Sequence, residues 1–311
     1  MDESEGKDKE TTTEPAEPQP VDLSDLKQVV SLVRNCQRVE DIASTVKDHI
    51  RKLVLANELD RYHVLMLYDP HGRIDDGTAN RLYNAMPSGK SELLLVLESP
   101  GGSVEPAYLL SKCCKEYSTK LVVIVPRKAK SAATLIALGA DEIHMGVLSQ
   151  LGPIDPQFEG LPALGLSSAI EHLARLCKKY PESSTMFAKY LSNKLDLRTL
   201  GYFERVSESA TQYAQRLLQG KRLPEGKSPS KVANQFVYGY KDHGFVIDKD
   251  EAKEFLGDHI KSATREYDLG NEIHNFLDFL GVVASFFKNK KISYVGDIEK
   301  GLTFSDIADE E

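Results

Sequence analysis

Apolar residues follow two rhythms in turn along this chain. Between Leu23 and about Asn57 they recur at helical spacing, first at Leu26, Val29, Val30, Leu32 and Val33 and then at Ile42, Val46, Ile50, Leu53 and Val54. Steps of three and four residues put each set on one face of a helix, and Ser24 or Asp25 is available as a cap. Residues 23–58 are therefore expected to form a helical hairpin. From residue 59 the rhythm changes to short continuous runs, HVLMLYD (63–69), LLLVLES (93–99), LVVIVP (121–126) and EIHMGV (142–147). Helical stretches at 75–86, 104–117 and 131–140 alternate with them. That alternation is the pattern of a parallel sheet with right-handed crossovers, so an α/β body is expected.

Beyond SQLGPIDPQ (149–157) the pattern is mostly helical, with amphipathic stretches at 167–180, 184–195 and 202–219, a polar loop at 219–231 and a helix at 231–239. The helices of 167–219 need a surface to bury against, as a lid or an oligomer contact. FVIDKDEAKEFLG (245–257) reads as a short strand, a turn and a helix, and a further helix covers about 271–288. The expected layout is one domain over 59–265 with a helical insertion at about 160–240, then a C-terminal helix and acidic tail over 266–311. No internal repeat is visible.

Charge changes this picture only at the ends. The 311 residues carry 39 Lys and Arg against 47 Asp and Glu, a net of −8. Residues 1–22 hold eight acids against Lys7 and Lys9, and the last six residues add four acids, which leaves residues 23–305 with 35 acids and 37 bases. The acidity belongs to the tails, and the first of them has too few apolar residues to offset its ordering entropy, so a disordered arm is expected over 1–22. A near-neutral body gives no clear sign of nucleic-acid binding. Lys221, Arg222, Lys227 and Lys231 form a basic loop that reads equally as a site for an acidic partner or as a solvated loop. No run approaches the ~20 apolar residues of a membrane span, and the acidic start is unlike a signal peptide, so a cytoplasmic protein is expected. Cys36, Cys113, Cys114 and Cys177 have no metal-type spacing and read as reduced thiols. His172 and Cys177 are five residues apart, off a common helix face, and no metal or other cofactor is expected.

Candidate chemistry lies where two strands end. An open parallel sheet places ligands beyond its carboxyl edge. There LLLVLES runs into Pro100-Gly101-Gly102, whose backbone N–H groups are free to approach a phosphate or an oxyanion, or whose role is simply a turn. The next strand passes through Arg127-Lys128-Ala129-Lys130 into Ser131 at the start of a small-residue helix. Ser131 reads as an N-cap, the commoner role of such a serine, or as a nucleophile with the Ala132 N–H and Gly101 as oxyanion donors.

LVLESPGGSV (95–104), VPRKAKSAATLIALGADEIHMG (125–146) and LGPIDPQ (151–157) together resemble the Clp protease/crotonase-type fold. Within it they are most similar to the serine dehydrogenase proteinase family, relatives of signal peptide peptidase A. The resemblance covers about residues 63–157, is weaker over 241–257 and does not extend to the arm or the hairpin. It implies Ser131 as the nucleophile and the N–H groups of Gly101 or Gly102 and of Ala132 as the oxyanion hole. Ala132 stands where Clp-type relatives commonly have methionine, and Lys130 and Glu98 also depart from the usual pattern.

The resemblance leaves the base open. Asp155 lies 24 residues after Ser131, where a Clp histidine would fall, and His243 lies ahead of EAKEFLG (251–257), near the place of the Clp acid. An exchanged triad follows, with His243 as base and Asp155 orienting its ring. His243 also reads as a turn residue beside Gly244, and Asp155 as a turn former before Pro156. The rival is a serine–lysine dyad using Lys178, Lys179 or Lys189, each of which reads otherwise as part of a solvated helix face. The seven other histidines have no convincing partner spacing. The expected activity is that of a serine endopeptidase acting on peptides or unfolded proteins, in a homo-oligomer by resemblance. The alternatives are a catalytically weakened scaffold of the same fold that serves as a protein-interaction module, or a crotonase-type enzyme acting on an acyl-CoA.

Overall fold

A computed structural model describes residues 22–155, 157–158, 161–194 and 197–307. The expected arm, apart from Asp22, and the last four residues of the tail lie outside the described residues. Helices α1 (Leu26–Asn35) and α2 (Val39–Ala56) make the hairpin, and Asp25 caps α1 by accepting the Lys27 N–H at 2.9 Å. Val29, Val33, Ile42, Val46 and Ile50, all picked out by periodicity, are buried.

The core follows as β1 (His63–Tyr68), α3 (Asp76–Asn84), β2 (Ser91–Glu98), α4 (Val104–Glu116), β3 (Ser118–Val125), β4 (Lys128–Ala129), α5 (Ala132–Leu138) and β5 (Glu142–Met145). Strands β1, β2, β3 and β5 pair in parallel, in that order. Their residues are apolar on both sides because both faces of the sheet are covered. Leu65, Leu67, Leu95, Leu97 and Val123 pack with α3, α4 and α5, whereas Met66, Leu94, Val96 and Ile124 face the opposite layer.

Next come β6 (Gln150–Leu151), β7 (Gln157–Phe158), β8 (Leu161–Pro162), α6 (Ala163–Lys179), α7 (Ser184–Lys194), α8 (Leu197–Leu218), α9 (Pro229–Tyr238), α10 (Lys249–Leu256) and β9 (Ile260–Lys261). Helix α8 adds Ala210, Ala214 and Leu218 to the core over α4 and α5, with Tyr213 stacked on Tyr108 at 4.4 Å. The strand expected near residue 245 is reduced to one antiparallel bridge, Leu151 to Ile247. The Asp248 carboxylate then caps α10, accepting from the Asp250 and Glu251 N–H groups, and this stops extended structure from continuing.

Helix α11 (Arg265–Lys288) starts six residues before the expected 271 because Thr264 caps it, accepting the Tyr267 N–H at 3.1 Å. It buries Leu269, Ile273, Leu277 and Leu280 on the second face of the sheet, together with α1 and α2. The chain after it, expected to be a tail, forms β10 (Lys290–Asp297) and β11 (Leu302–Asp306). β10 pairs antiparallel with β1, giving the order β11-β10-β1-β2-β3-β5-β9. Lys290 and Lys291 open β10, and its buried Ile292, Tyr294 and Val295 break strict alternation, so the local pattern is weak. What requires the strand is the otherwise unpaired edge of β1. No helix among the described residues is long and apolar enough to cross a membrane.

Candidate active site

Beyond Glu98 the chain stays extended. Ser99 bridges to Ala129 on one side, and Gly102 bridges to Ile74 on the other. A Cβ on Gly101 would lie 2.7 Å from both the Lys130 carbonyl oxygen and Ser131 Cβ, and its φ of +108° belongs to glycine. A Cβ on Gly102 would meet the Ile74 carbonyl oxygen at 2.3 Å. These glycines are needed for close approach, and the first of them touches Ser131.

The backbone donors of the loop are unequal. The Gly101 N–H donates to Ser99 Oγ at 3.1 Å. Ile74 N–H donates to Gly101 O at 2.9 Å and Ser103 N–H to Ile74 O at 2.8 Å. In a parallel bridge of this form the N–H of Gly102 itself points away from Ile74, toward the edge along which Ser99 pairs with residues 128–130.

Ser131 stands at the N-cap position of α5 with φ 51° and ψ −118°, and its side chain makes no capping bond. A non-glycine residue held there carries about 1–3 kcal/mol of strain. A serine on such a sharp strand-to-helix turn has its hydroxyl presented at the carboxyl edge of the sheet. The position of a Cβ on Gly101 is 3.2 Å from the Ala132 nitrogen, so the glycine loop and the first N–H of α5 adjoin.

Asp155 and His243, 88 residues apart, meet with His243 Nδ1 2.7 Å from Asp155 Oδ1. The Asp155 side chain is 3% exposed and the His243 side chain 21%. A contact this short is in the charge-assisted range. With Nδ1 committed to Asp155, Nε2 is the ring nitrogen left for another partner.

Three ties join these segments to one another and to the residues flanking Ser131. Lys130 Nζ donates to Leu151 O at 3.2 Å and to Phe245 O at 3.0 Å, linking the residue before Ser131 to the loop after His243. Leu151 and Ile247 exchange backbone hydrogen bonds. In the first turn of α5, Thr134 Oγ1 donates to Ala129 O at 2.6 Å or Gly152 O at 2.9 Å and accepts the Gly152 N–H at 3.0 Å, fixing the strand that leads to Asp155. Partial burial lowers the Lys130 ammonium below the ordinary lysine value, and Asp242 opposes that shift. Lys130 was visible in the sequence only as a departure from the family pattern. The Ser99 contact had a local signal, a hydroxyl two residues before a glycine in a turn.

Lys178 and Lys179 lie in the last turn of α6 and Lys189 in α7, all exposed. Burial is what converts a lysine into a base, and none of the three has it. Three residues of the basic loop are engaged within the chain: the half-buried Lys221 donates to Ala140 O, Lys231 Nζ to Gly226 O at 3.0 Å, and Lys227 lies 4.1 Å from the Phe255 ring centroid. Burial pushes the Lys221 ammonium down to about 8. Among the described residues no cluster of three or more His, Cys, Asp or Glu is arranged to hold a metal.

The fold and these strand ends define an α/β protein with a serine at the carboxyl edge of a parallel sheet. Residues 74–194 match the model of the ClpP-like SDH-type serine proteinases. The match takes in Gly101, Ser131 and Asp155 and ends before His243. Two uncharacterised proteins of Methanocaldococcus jannaschii are similar in sequence. One is 32% identical over 178 residues, 56% of this chain and 55% of the relative. The other is 39% identical over 75 residues, 24% of this chain and 26% of the relative. The matched region thus spans about half of the first relative and a quarter of the second. Among solved structures, a variant of the 1510-N membrane-bound stomatin-specific protease aligns over 80% of this chain and 99% of its own, at 14% identity and a TM-score of 0.40. A second variant of it, in complex with a substrate peptide, aligns over 85% and 82% at 13% identity and a TM-score of 0.35.

Proposed function

We propose that the chain is a serine endopeptidase in which Ser131 is the nucleophile, His243 the general base and Asp155 the residue that orients the base. The observation that supports this reading is the 2.7 Å contact between His243 Nδ1 and the buried Asp155, in segments whose Phe245 and Leu151 carbonyls are both bonded by Lys130, the residue before Ser131. Ser131 Oγ adds to the scissile carbonyl carbon as His243 Nε2 takes its proton. The carbonyl oxygen becomes an oxyanion received by the N–H groups of Gly102 and Ala132. Gly102 is the better donor because the Gly101 N–H is already used by Ser99. As the C–N bond breaks, His243 returns the proton to the leaving amine. Water, deprotonated by the same ring, then hydrolyses the acyl-serine.

The substrate is a peptide or an unfolded protein, which can reach the carboxyl edge in extended form. Exposed Met186 and Tyr190 on α7 support association of copies through that helix, and four unpaired cysteines suit a reducing cytoplasm. Separate replacement of His243, Lys178, Lys179 and Lys189, with fluorophosphonate labelling rates as readout, tests the assignment. Loss of labelling in His243→Ala alone is expected; loss in a lysine variant with His243→Ala unaffected would overturn it in favour of a dyad.

A further inference from the structure

A cavity of about 710 Å³ opens at the carboxyl ends of β1, β2 and β3 on the α11 face, and its lining includes none of Gly101, Gly102, Ser131, Ala132, Asp155 or His243. Its volume is in the range of small-molecule sites. Glu98 and His274 are its most buried polar residues, 2% and 9% exposed. Glu98 Oε2 accepts the backbone N–H groups of Arg127 and Lys128 at 3.1 and 3.0 Å. His274 Nδ1 is 3.8 Å from that oxygen, beyond hydrogen-bond reach, and has no other partner. A buried polar atom left this way costs free energy unless something occupies the space beside it.

The charge around the cavity favours one sign of ligand. Arg127 is tied to Asn271 and Asn275, and Lys290 to Asp306. Lys128 and Lys291 have no carboxylate partner among the described residues. Asp278 is the only other acid lining the cavity among the described residues. Burial pushes the Glu98 carboxyl up to about 7 against the pull of the two N–H groups and of Lys128 and Arg127. His274 is held neutral, lowered to about 4 by burial and by Arg127 and Lys128, with Asp278 opposing. Tyr68 is likewise kept neutral by burial, and His71 sits at the rim. Next to these groups the wall is apolar, and Val282 and Phe286 are 62% and 82% exposed.

We propose that this cavity is a second ligand site that takes a small anion with an apolar tail, a carboxylate or a phosphate monoester. Its head sits between Lys128 and Lys291 above Glu98, and its tail lies along Val282, Phe286 and Ile292. An anion beside Glu98 favours the protonated carboxyl, so binding takes up a proton. Affinity is therefore expected to fall about tenfold between pH 6 and pH 8 through Glu98.

Isothermal titration of the full chain with octanoate, octyl phosphate and octylammonium tests this. Saturable binding of either anion but not of the ammonium is expected, and the two anions distinguish the head groups. The Lys128→Ser/Lys291→Ser variant should weaken binding at least tenfold, while Ser131→Ala leaves it unchanged. Glu98→Gln keeps both acceptor bonds, so it should bind with a flattened pH dependence, which separates Glu98 from His71. Equal binding of the ammonium, no saturable binding of either anion, or undiminished binding by the double lysine variant with a native circular dichroism spectrum would overturn the proposal.

Discussion

An alanine at position 101 would bring its Cβ to 2.7 Å from the Lys130 carbonyl oxygen and 2.7 Å from Ser131 Cβ. Neither atom can retreat easily. Lys130 N is bonded to Ser99 O at 3.1 Å and Lys130 O accepts the Ala133 N–H at 2.9 Å, while Ser131 is already at a strained φ of 51°. A Cβ at φ +108° costs about 1–2 kcal/mol in backbone energy, and overpacking adds about 1–3 kcal/mol. Gly101→Ala is thus expected to lose about 2–5 kcal/mol, a large part of the ~5–15 kcal/mol that keeps a domain folded. Urea unfolding followed by circular dichroism reads this as a lower midpoint at constant slope. Any relief comes from moving Ser131, so nucleophile labelling should fall even where the variant remains folded. A loss below about 1 kcal/mol together with unchanged labelling would refute the close packing of this loop on Ser131.

Asp155→Asn keeps the side-chain shape but disturbs the imidazole tautomer, and labelling of Ser131 should drop by roughly 10³–10⁴-fold; a drop under tenfold would separate Asp155 from the chemistry. Lys130→Met removes the ties to Leu151 O and Phe245 O. A loss of one such charged hydrogen bond, about 1.5–3 kcal/mol, should slow labelling at least tenfold while the sheet, read by circular dichroism, is retained. Glu98 is raised from 4.5 to about 7 in the folded state, so its stabilising contribution is complete below pH 4.5 and is lost as pH rises through 7. The loss totals about 3 kcal/mol and falls mostly between pH 4.5 and 7, so under about 1 kcal/mol of it separates pH 6.5 from pH 8, read as a slightly lower urea midpoint at pH 8 that Glu98→Gln should abolish. His274 acts in the opposite sense, its contribution being present above pH 6.5 and lost as pH falls toward 4. Cys114 is fully buried with its thiol pushed up to about 12, so in the native protein a thiol reagent should modify Cys36, Cys113 and Cys177 well before it.

The parts of this fold that can be read from sequence are those where local pattern and tertiary context agree. HVLMLY, LLLVLE and LVVIV are continuous apolar runs because both faces of the sheet are covered, and they form β1, β2 and β3. β10 is set by the open edge of β1 rather than by its own pattern, and the bridge at Ile247 is set by Leu151. At the candidate site, Gly101 and Ser131 are legible because their turns need special backbone angles, +108° and 51° in φ. His243 and Asp155 are linked by a side-chain contact across 88 residues, for which only family resemblance gave a signal. Glu98 stood out as an unexpected residue in the glycine motif, but nothing local announces that a glutamate will be 2% exposed. The residues that hold it there, Arg127 and Lys128, act through their backbone.

The most direct measurement is the site and rate of covalent trapping by a fluorophosphonate, located by mass spectrometry on intact and urea-unfolded protein. A reactive serine predicts one adduct, at Ser131, formed far faster in the folded chain, absent in Ser131→Ala and slowed in His243→Ala. Labelling of Ser131 no faster in the folded than in the unfolded chain would contradict the assignment of Ser131 as nucleophile.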